Sequence, residues 1–381
     1  MNVKTKKRYF DYNLLAIVIF LMCFGLVMLY SASSYSAQID NNNSMHYFFR
    51  QTFFCVVGFG IMLFVAKIDY HKMAKFAKWI YIFSFILMGL VLTPLGKEVN
   101  HARRWLRLPF GQSMQPSEVT KIAVIIFIPL LLCQVSKRIK DKKAYMKIFL
   151  WGAAAAGGVY FLTDNLSTAV IVLGIVCAMI FIAHPKTIPF LAIGAAGCGI
   201  VAIGVKILDI VLDTSKSFRL RRILVWLHPE EYLSDGGYQV MQGLYAIGSG
   251  GFFGKGLGNS AQKMVIPEAQ NDMILAVIGE ELGVFGIIVL LTMFGLLLHR
   301  LMSIAKNAPD QYGALMVSGV FAHIALQVVL NVAVVLNVIP TTGITLPFVS
   351  YGGTSIIFLM AEMGIALSVS NRIEFDETEE A

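Results

Sequence analysis

Long apolar segments, separated by short polar stretches, recur along almost the whole chain. A helix needs roughly 20 apolar residues to cross a hydrocarbon core of about 30 Å. The pattern predicts ten membrane-spanning helices, at 13–33, 48–67, 76–94, 116–135, 147–163, 166–184, 188–211, 272–299, 312–336 and 350–370. We therefore predict an all-α, polytopic membrane protein whose single ten-helix domain, 13–371, lies between the short tails 1–12 and 372–381.

The composition agrees with this architecture. Hydrophobic residues make up 57% of the 381 residues and only 14% are charged, against about 25% in a typical soluble domain. A single water-soluble fold is thereby excluded. The five cysteines all lie in apolar segments without paired or metal-ligand spacing, which predicts packing roles. The first apolar segment lacks a small-residue cleavage site, so we expect a retained span and no signal peptide.

The distribution of Lys and Arg predicts the orientation in the membrane, because cytoplasmic loops carry an excess of these residues. They are concentrated in the first tail and in the connections after the second and fourth predicted spans. Both termini and the connection 136–146 are therefore expected in the cytoplasm, and the long loop 212–271 outside. Orientation accounts for most of the net charge of +8, which gives no reason to expect nucleic-acid binding.

Two predicted external segments, 95–115 and 212–271, break this rule. Their cations are Lys97, Arg103, Arg104 and Arg107 in the first, and Lys216, Arg219, Arg221, Arg222, Lys255 and Lys263 in the second. Long loops translocate largely regardless of charge, and this explanation covers the second segment better than the short first one. Positive charge retained outside predicts an anion site, and Arg suits bidentate contacts with phosphate.

The long loop has local patterns of its own. Apolar residues recur at helical spacing over 217–228, with Trp226 as an interfacial anchor, and a second helical pattern follows over 238–247. The glycine-dense run 248–260 comes next and could present backbone N–H groups to an anion. Its spacing matches neither a Walker loop nor a dinucleotide fingerprint, so we do not predict nucleotide binding.

Ionisable residues inside predicted spans are functional candidates because they are expensive to bury. Glu118 and Lys121 are three residues apart and should pair on one helix, either as a structural pair or as part of a site. Glu280 and Glu281 lie about two turns into the eighth predicted span, His323 is alone in the ninth, and Glu362 in the tenth has no evident role.

Asp272 lies at the predicted outer mouth of the eighth span, directly before an apolar run. It could cap or stabilise the start of that helix. A carboxylate at the water–lipid boundary beside external arginines could equally serve as a general base. Position alone leaves these alternatives open.

Several ordered motifs together resemble the SEDS family of cell-wall synthesis proteins over nearly the entire membrane region. They are LYSAS at 29–33, ARRWL at 102–106, QPSEVTK at 115–121, GYQVMQGLYAIGSGGFFGKGLGNSAQK at 237–263, IPEAQND at 266–272, IGEELG at 278–283 and TGITLPFVSYGGTS at 342–355. The division and sporulation branches look more similar than the elongation branch. Where many members have His-Thr-Asp-Phe, this chain has Gln270-Asn271-Asp272-Met273, which keeps the aspartate but not its neighbours.

The resemblance implies a peptidoglycan glycosyltransferase in the bacterial cytoplasmic membrane that polymerises lipid II on the external face. It implies a class B penicillin-binding protein as partner, with other division-complex membrane proteins as further candidates. Asp272 is implied as the general base. The implied substrate contacts are Arg103, Arg104, Arg219, Arg222, Lys263 and Ser350, and the implied supporting residues are Glu118, Lys121 and Glu281.

Two other classes of function stay open at this point. One is a lipid II flippase without chemistry, which Pro and Gly interruptions of spans would suit, although no inverted repeat is apparent. The other is a scaffold that only binds the penicillin-binding protein. No metal-ligand cluster or cofactor motif is evident, but a divalent cation bridging diphosphate and carboxylate would need few protein ligands.

Overall fold

The computed structural model describes residues 7–8, 10–41, 43–99, 102–135, 142–184 and 218–375. The predicted span 188–211 lies outside these residues, as do the start of the predicted external loop and most of both tails. The helices within the described residues are α1 Tyr12–Asn41, α2 His46–Lys67, α3 Tyr70–Leu90, α4 Pro116–Val135, α5 Lys142–Thr163, α6 Leu166–Ala183, α7 Phe218–Leu227, α8 Gly237–Gly250, α9 Ile274–Lys306, α10 Gln311–Val335 and α11 Ser355–Ser370.

The predicted all-α membrane fold is confirmed. Eight of the helices are long and apolar enough to cross a membrane, and α11 is a shorter apolar helix of 16 residues. These nine helices correspond to nine of the ten predicted spans, and the tenth prediction falls outside the described residues. The two helices predicted in the long external loop are also present, as α7 and α8.

The structure adds two small sheets that the sequence patterns did not predict. One pairs β1, Lys7–Arg8, with β5, Glu374–Phe375. The other lies between α3 and α4 and has the strand order β2, Gly96–Val99, then β3, Ala102–Arg107, then β4, Ser113–Met114. In β3 the alternation of a strand is visible, since Ala102 and Leu106 are buried while Arg103 and Arg107 are exposed. The arginine-rich composition concealed this pattern.

The helices pack as a bundle around α4 and α10. In the most apolar windows of these two helices, 61% and 67% of residues are buried, against 22% in the peripheral α3. Close helix pairs are α2 with α11, α9 with α10, α3 with α4 and α5 with α6. At the end that carries both termini, the fully buried Asp11 accepts hydrogen bonds from Arg300 of α9, at 2.6 and 3.1 Å.

Helix α9 is broken at Gly283, which corrects the prediction of a continuous span 272–299. Gly283 has φ +69° and ψ −168°, far from helical values. The loop 251–256 pairs with the break: Val284 N–H donates to Gly251 O at 3.0 Å, and Lys255 N–H donates to Glu280 O at 2.9 Å. The loop thus satisfies backbone groups that the break removes from the helical ladder.

The break also explains the length of α9. A helix of 33 residues is about 50 Å long, well beyond the hydrocarbon thickness of about 30 Å. The part after Gly283 is alone about 34 Å long and suffices to cross. Glu280 and Glu281 precede the part of α9 that is by itself long enough to cross.

Replacing Gly283 by Ala should destabilise the protein. A Cβ at this position would lie 2.4 Å from Gly254 N and 2.4 Å from Phe252 O, and the positive φ disfavours any L side chain. Such strain costs on the order of 1–3 kcal/mol. Thermal unfolding of the purified protein in detergent measures the effect as a lower midpoint.

Gly295→Ala is the matched control, because a Cβ at Gly295 on the same helix meets nothing within 4 Å. Alanine is favoured over glycine by about 1 kcal/mol in a helix, so this variant should unfold at the same or a higher temperature. Equal midpoints for the two variants would show that the loop–helix contact at the break contributes nothing to stability.

Candidate active site

Asp272 lies just before α9 and is held by its backbone. The buried Asn331 side chain of α10 donates from Nδ2 to Asp272 O and to Ile344 O, both at 2.8 Å. On the carboxylate itself, Gln239 of α8 donates from Nε2 to Oδ1 at 3.4 Å. Three separate segments of the chain therefore meet at this aspartate.

Arg222 of α7 is the cation that acts on Asp272. Its Nη1 donates to Thr341 O at 3.2 Å, and its charge favours the ionised form of the carboxylate. The amphipathic α7 is held against the segment after α10, because Trp226 Nε1 donates to Asn337 O at 2.9 Å. The predicted surface helix therefore places Arg222 near Asp272.

The carboxylate is open on one side because its neighbour there is a glycine. Gly343 is exposed and has φ +70°, and a Cβ on it would lie 4.0 Å from Asp272 Oδ2. A larger side chain at position 343 would cover the carboxylate of Asp272. Asp272 itself is partly exposed, so a reactant approaching past Gly343 can reach it.

Burial raises the pKa of Asp272 to about 6. Its own backbone amide opposes the rise, Glu268 adds to it by charge repulsion, and Arg222 and Gln239 oppose it. A carboxylate with such a pKa is mostly ionised at pH 7 yet basic enough to accept a proton, as a general base requires. The capping alternative lacks support, since α9 begins after Met273 without a side-chain cap.

The loop 341–354 forms one wall of the site and is anchored on several elements. Ser167 of α6 donates to Thr342 O at 2.7 Å, and Tyr351 N–H donates to Gln270 O at 2.9 Å. The predicted substrate contact Ser350 is buried within this loop, where its Oγ accepts from Leu346 N–H at 2.8 Å. Ser350 thus closes a turn, and its contact with the substrate stays a prediction.

The supporting pair Glu118 and Lys121 is part of a longer buried chain. Lys121 Nζ lies 2.9 Å from Glu118 Oε2 and 3.0 Å from His323 Nε2, and His323 Nδ1 lies 2.6 Å from Glu362 Oε2. With lysine donating to Nε2, the imidazole hydrogen is assigned to Nδ1 and points at Glu362. This arrangement gives Glu362 a partner and shows that His323, the lone histidine of its predicted span, is hydrogen-bonded to two neighbouring helices. It ties α4, α10 and α11 together.

Glu280 and Glu281 are both fully buried and hold the glycine-dense run. Glu280 accepts from Lys255 Nζ at 2.6 Å and from backbone N–H groups of 261 and 262. Glu281 accepts from Ser31 of α1 at 2.6 and 2.7 Å and is paired with Lys263 at 3.4 Å. From the run itself, Ser260 N–H donates to Glu281 Oε1 at 3.3 Å, so this backbone group contacts one of the protein's own glutamates.

Lys263 was predicted as a substrate contact, and the structure gives it other partners. The residue is 5% exposed, and its Nζ donates to Gly258 O at 2.6 Å and pairs with Glu281. In the structure Lys263 therefore supports the glycine-dense run, and its contact with the substrate stays a prediction.

Two of the other predicted arginines, Arg103 and Arg104, lie on β3. Arg103 is exposed on β3 and paired with Glu98 of β2 at 3.4 Å. Arg104 is partly buried on the same strand. The side chain of Arg219 lies outside the described part of the chain.

The sequence patterns did not predict a role for Gln239 or Asn331. Asn331 belongs to a pattern that was visible, because His323, Gln327 and Asn331 recur every four residues along an otherwise apolar span. Gln239 carried no comparable signal. In the described part of the chain, no group of three or more His, Cys, Asp or Glu side chains could hold a metal ion, and a divalent cation stays a prediction.

A family model described as cell cycle protein, FtsW/RodA/SpoVE, matches residues 12–374. The chain belongs to this family. A probable peptidoglycan glycosyltransferase FtsW of Trichlorobacter lovleyi is 38% identical over 95% of this chain and 93% of its own length. Stage V sporulation protein E of Bacillus subtilis is 37% identical over 96% and 98%, respectively.

Solved structures of the family have the same fold. A chain of a peptidoglycan synthase complex described as coordinating polymerization and crosslinking superposes with a TM-score of 0.74, at 26% identity over 95% of this chain and 97% of its own. The rod shape determining protein RodA of Thermus thermophilus gives a TM-score of 0.66, at 25% identity over 96% and 97%. The predicted family and enzyme class, a peptidoglycan glycosyltransferase of the membrane, are thereby confirmed.

Proposed function

We propose that this member of the FtsW/RodA/SpoVE family polymerises lipid II with Asp272 as the general base. The observation that carries the proposal is an accessible carboxylate whose pKa is raised to about 6, next to Arg222 and opposite an exposed Gly343. A flippase or a scaffold has no need for a carboxylate tuned in this way, and the geometry favours the enzyme.

The proposed step is a substitution at the anomeric carbon of a lipid-linked sugar. The 4-hydroxyl of the acceptor sugar gives its proton to Asp272 while its oxygen bonds to that carbon. The bond from the carbon to the diphosphate oxygen breaks, and polyprenyl diphosphate leaves with the electron pair. Arg222 balances the charge that develops on the diphosphate, with Arg103, Arg104 and Arg219 as further candidate contacts.

We assign the reaction to cell division, with a class B penicillin-binding protein as the crosslinking partner and other division-complex proteins as further candidates. The similarity to FtsW relatives and to one chain of a synthase complex supports this assignment. The similarity to a stage V sporulation protein favours a sporulation enzyme of the same chemistry as the second candidate.

Asp272→Asn should abolish glycan polymerisation. The amide keeps the size and can still accept from Gln239, but it cannot take up the proton of the attacking hydroxyl. General-base catalysis contributes about 10²- to 10⁴-fold. The measurement is polymerisation of labelled lipid II by the purified full chain with its penicillin-binding protein, alongside thermal unfolding and lipid II binding.

The matched control is Asp164→Asn, an exposed aspartate between α5 and α6 at φ 47°, where asparagine is well tolerated. Its activity should equal that of the unmodified protein. A folded Asp272→Asn variant with the unmodified rate would remove Asp272 from the mechanism.

The polymerisation rate of the unmodified protein should fall as the pH is lowered through about 6, because the ionised carboxylate of Asp272 is the active form.

Arg222→Ala should weaken the use of lipid II, since a hydrogen bond to a charged group contributes about 1.5–3 kcal/mol. That range corresponds to roughly a 10- to 100-fold loss in kcat/KM. Arg222→Lys should recover only part of the loss, because lysine lacks the planar fork. The control is Arg107→Ala, because Arg107 is an exposed arginine on the same predicted face. Equal losses in the two alanine variants would indicate a general effect of external charge.

We further propose that both termini are cytoplasmic and that Asp272 faces the exterior. Single cysteines at the exposed positions Lys72 and Ser234 test this, each in a background without the native cysteines. An impermeant thiol reagent applied to intact cells should label position 234 and leave position 72 unlabelled until the cells are opened. Labelling of position 72 but not of position 234 in intact cells would show that the protein has the opposite orientation.

A further inference from the structure

A line of polar side chains runs along one face of α10, toward its Asp272 end. His323, Gln327 and Asn331 are four residues apart, so they follow one another on neighbouring turns. His323 belongs to the buried chain with Lys121 and Glu362. Gln327 Nε2 donates to Thr345 O at 3.0 Å, and Asn331 reaches the backbone of Asp272.

Asn331 occupies the position where two functional segments meet. Its side chain is fully buried, and its single Nδ2 atom donates to Asp272 O and to Ile344 O, each at 2.8 Å. Ile344 is three residues from Thr341, whose carbonyl accepts from Arg222. The same short loop segment, 341–344, thus connects the arginine to the backbone of the aspartate through one amide group.

We propose that Asn331 is a positioning residue that fixes Asp272 relative to Arg222 and to the opening at Gly343. The inference rests on the proposed role of Asp272. Two carbonyl groups accept from the same nitrogen, and only a side chain with two hydrogens on one atom can serve both. Serine and threonine offer one hydrogen and an ionised aspartate none, which is the physical reason for an amide here.

Removing the Asn331 amide should change the position and protonation of Asp272 without removing the groups that contact the substrate. Freed from Asn331, the backbone at Asp272 can move toward water, and better hydration favours the charged carboxylate. The charged groups that act on this carboxylate, Glu268 and Arg222, are unchanged by the substitution. The acid limb of the rate profile should therefore move to lower pH, toward the ordinary value for Asp of about 3.9.

The experiment measures kcat, KM for lipid II and the pH profile of Asn331→Ala in the full chain with its penicillin-binding protein. We expect kcat to fall roughly 10- to 100-fold, as misplacement of a reacting group by about 1 Å can cause. KM should change little, and the acid limb should shift down. Ser318→Ala is the control on the same helix, because Ser318 donates only to Ala314 O within α10.

A loss of stability alone would lower the amount of folded enzyme without moving the acid limb, so the profile separates positioning from folding. If Asn331→Ala fails to fold, Asn331→Ser keeps one donor and should show a smaller shift in the same direction. Unchanged kcat and an unchanged acid limb in either folded variant would overturn the inference. Failure of the unmodified protein to polymerise lipid II, or full activity of Asp272→Asn, would instead overturn the proposed function.

Discussion

Charge buried inside a membrane protein must be matched within the protein, and this constraint organises the bundle. Lys121 lies between Glu118 and His323, and His323 continues the chain to Glu362. Removing one partner of such a chain leaves an uncompensated charge that costs several kcal/mol. The chain therefore fixes α4, α10 and α11 relative to one another, and α10 also carries Asn331, which donates to the backbone of Asp272.

The same requirement shapes the segment around the glycine-dense run. The carboxylates of Glu280 and Glu281 pair with Lys255 and Lys263 and accept from the backbone N–H groups of Ser260 and Gln262. Both lysines thus have partners within the protein, and these contacts hold the run beside the broken helix α9. Near the candidate base Asp272 lies Arg222, whose charge favours the ionised carboxylate and whose Nη1 donates to Thr341 O.

The candidate active site is assembled from parts that are far apart in the chain. Asp272 comes from the start of α9, Arg222 from an amphipathic surface helix, Gln239 from α8 and Asn331 from α10. An open glycine, Gly343, provides access. This combination of a rigid backbone, a carboxylate partly removed from water and one nearby cation suits a proton transfer coupled to departure of a diphosphate.

The sequence by itself determined the membrane class, nine described spans, both loop helices and the family, because apolar length, helical spacing and ordered motifs are local properties. It also singled out Asp272 as a candidate base, a role that stays a prediction. It also determined the Glu118–Lys121 pair, whose members are three residues apart on one helix. Only the tertiary structure decided that His323 and Glu362 complete this pair, that Lys263 is enclosed, that α9 breaks at Gly283 and that Asn331 holds Asp272. Each of these features depends on contacts between different segments of the chain. Tertiary packing decides which segments meet, and local sequence patterns do not predict it.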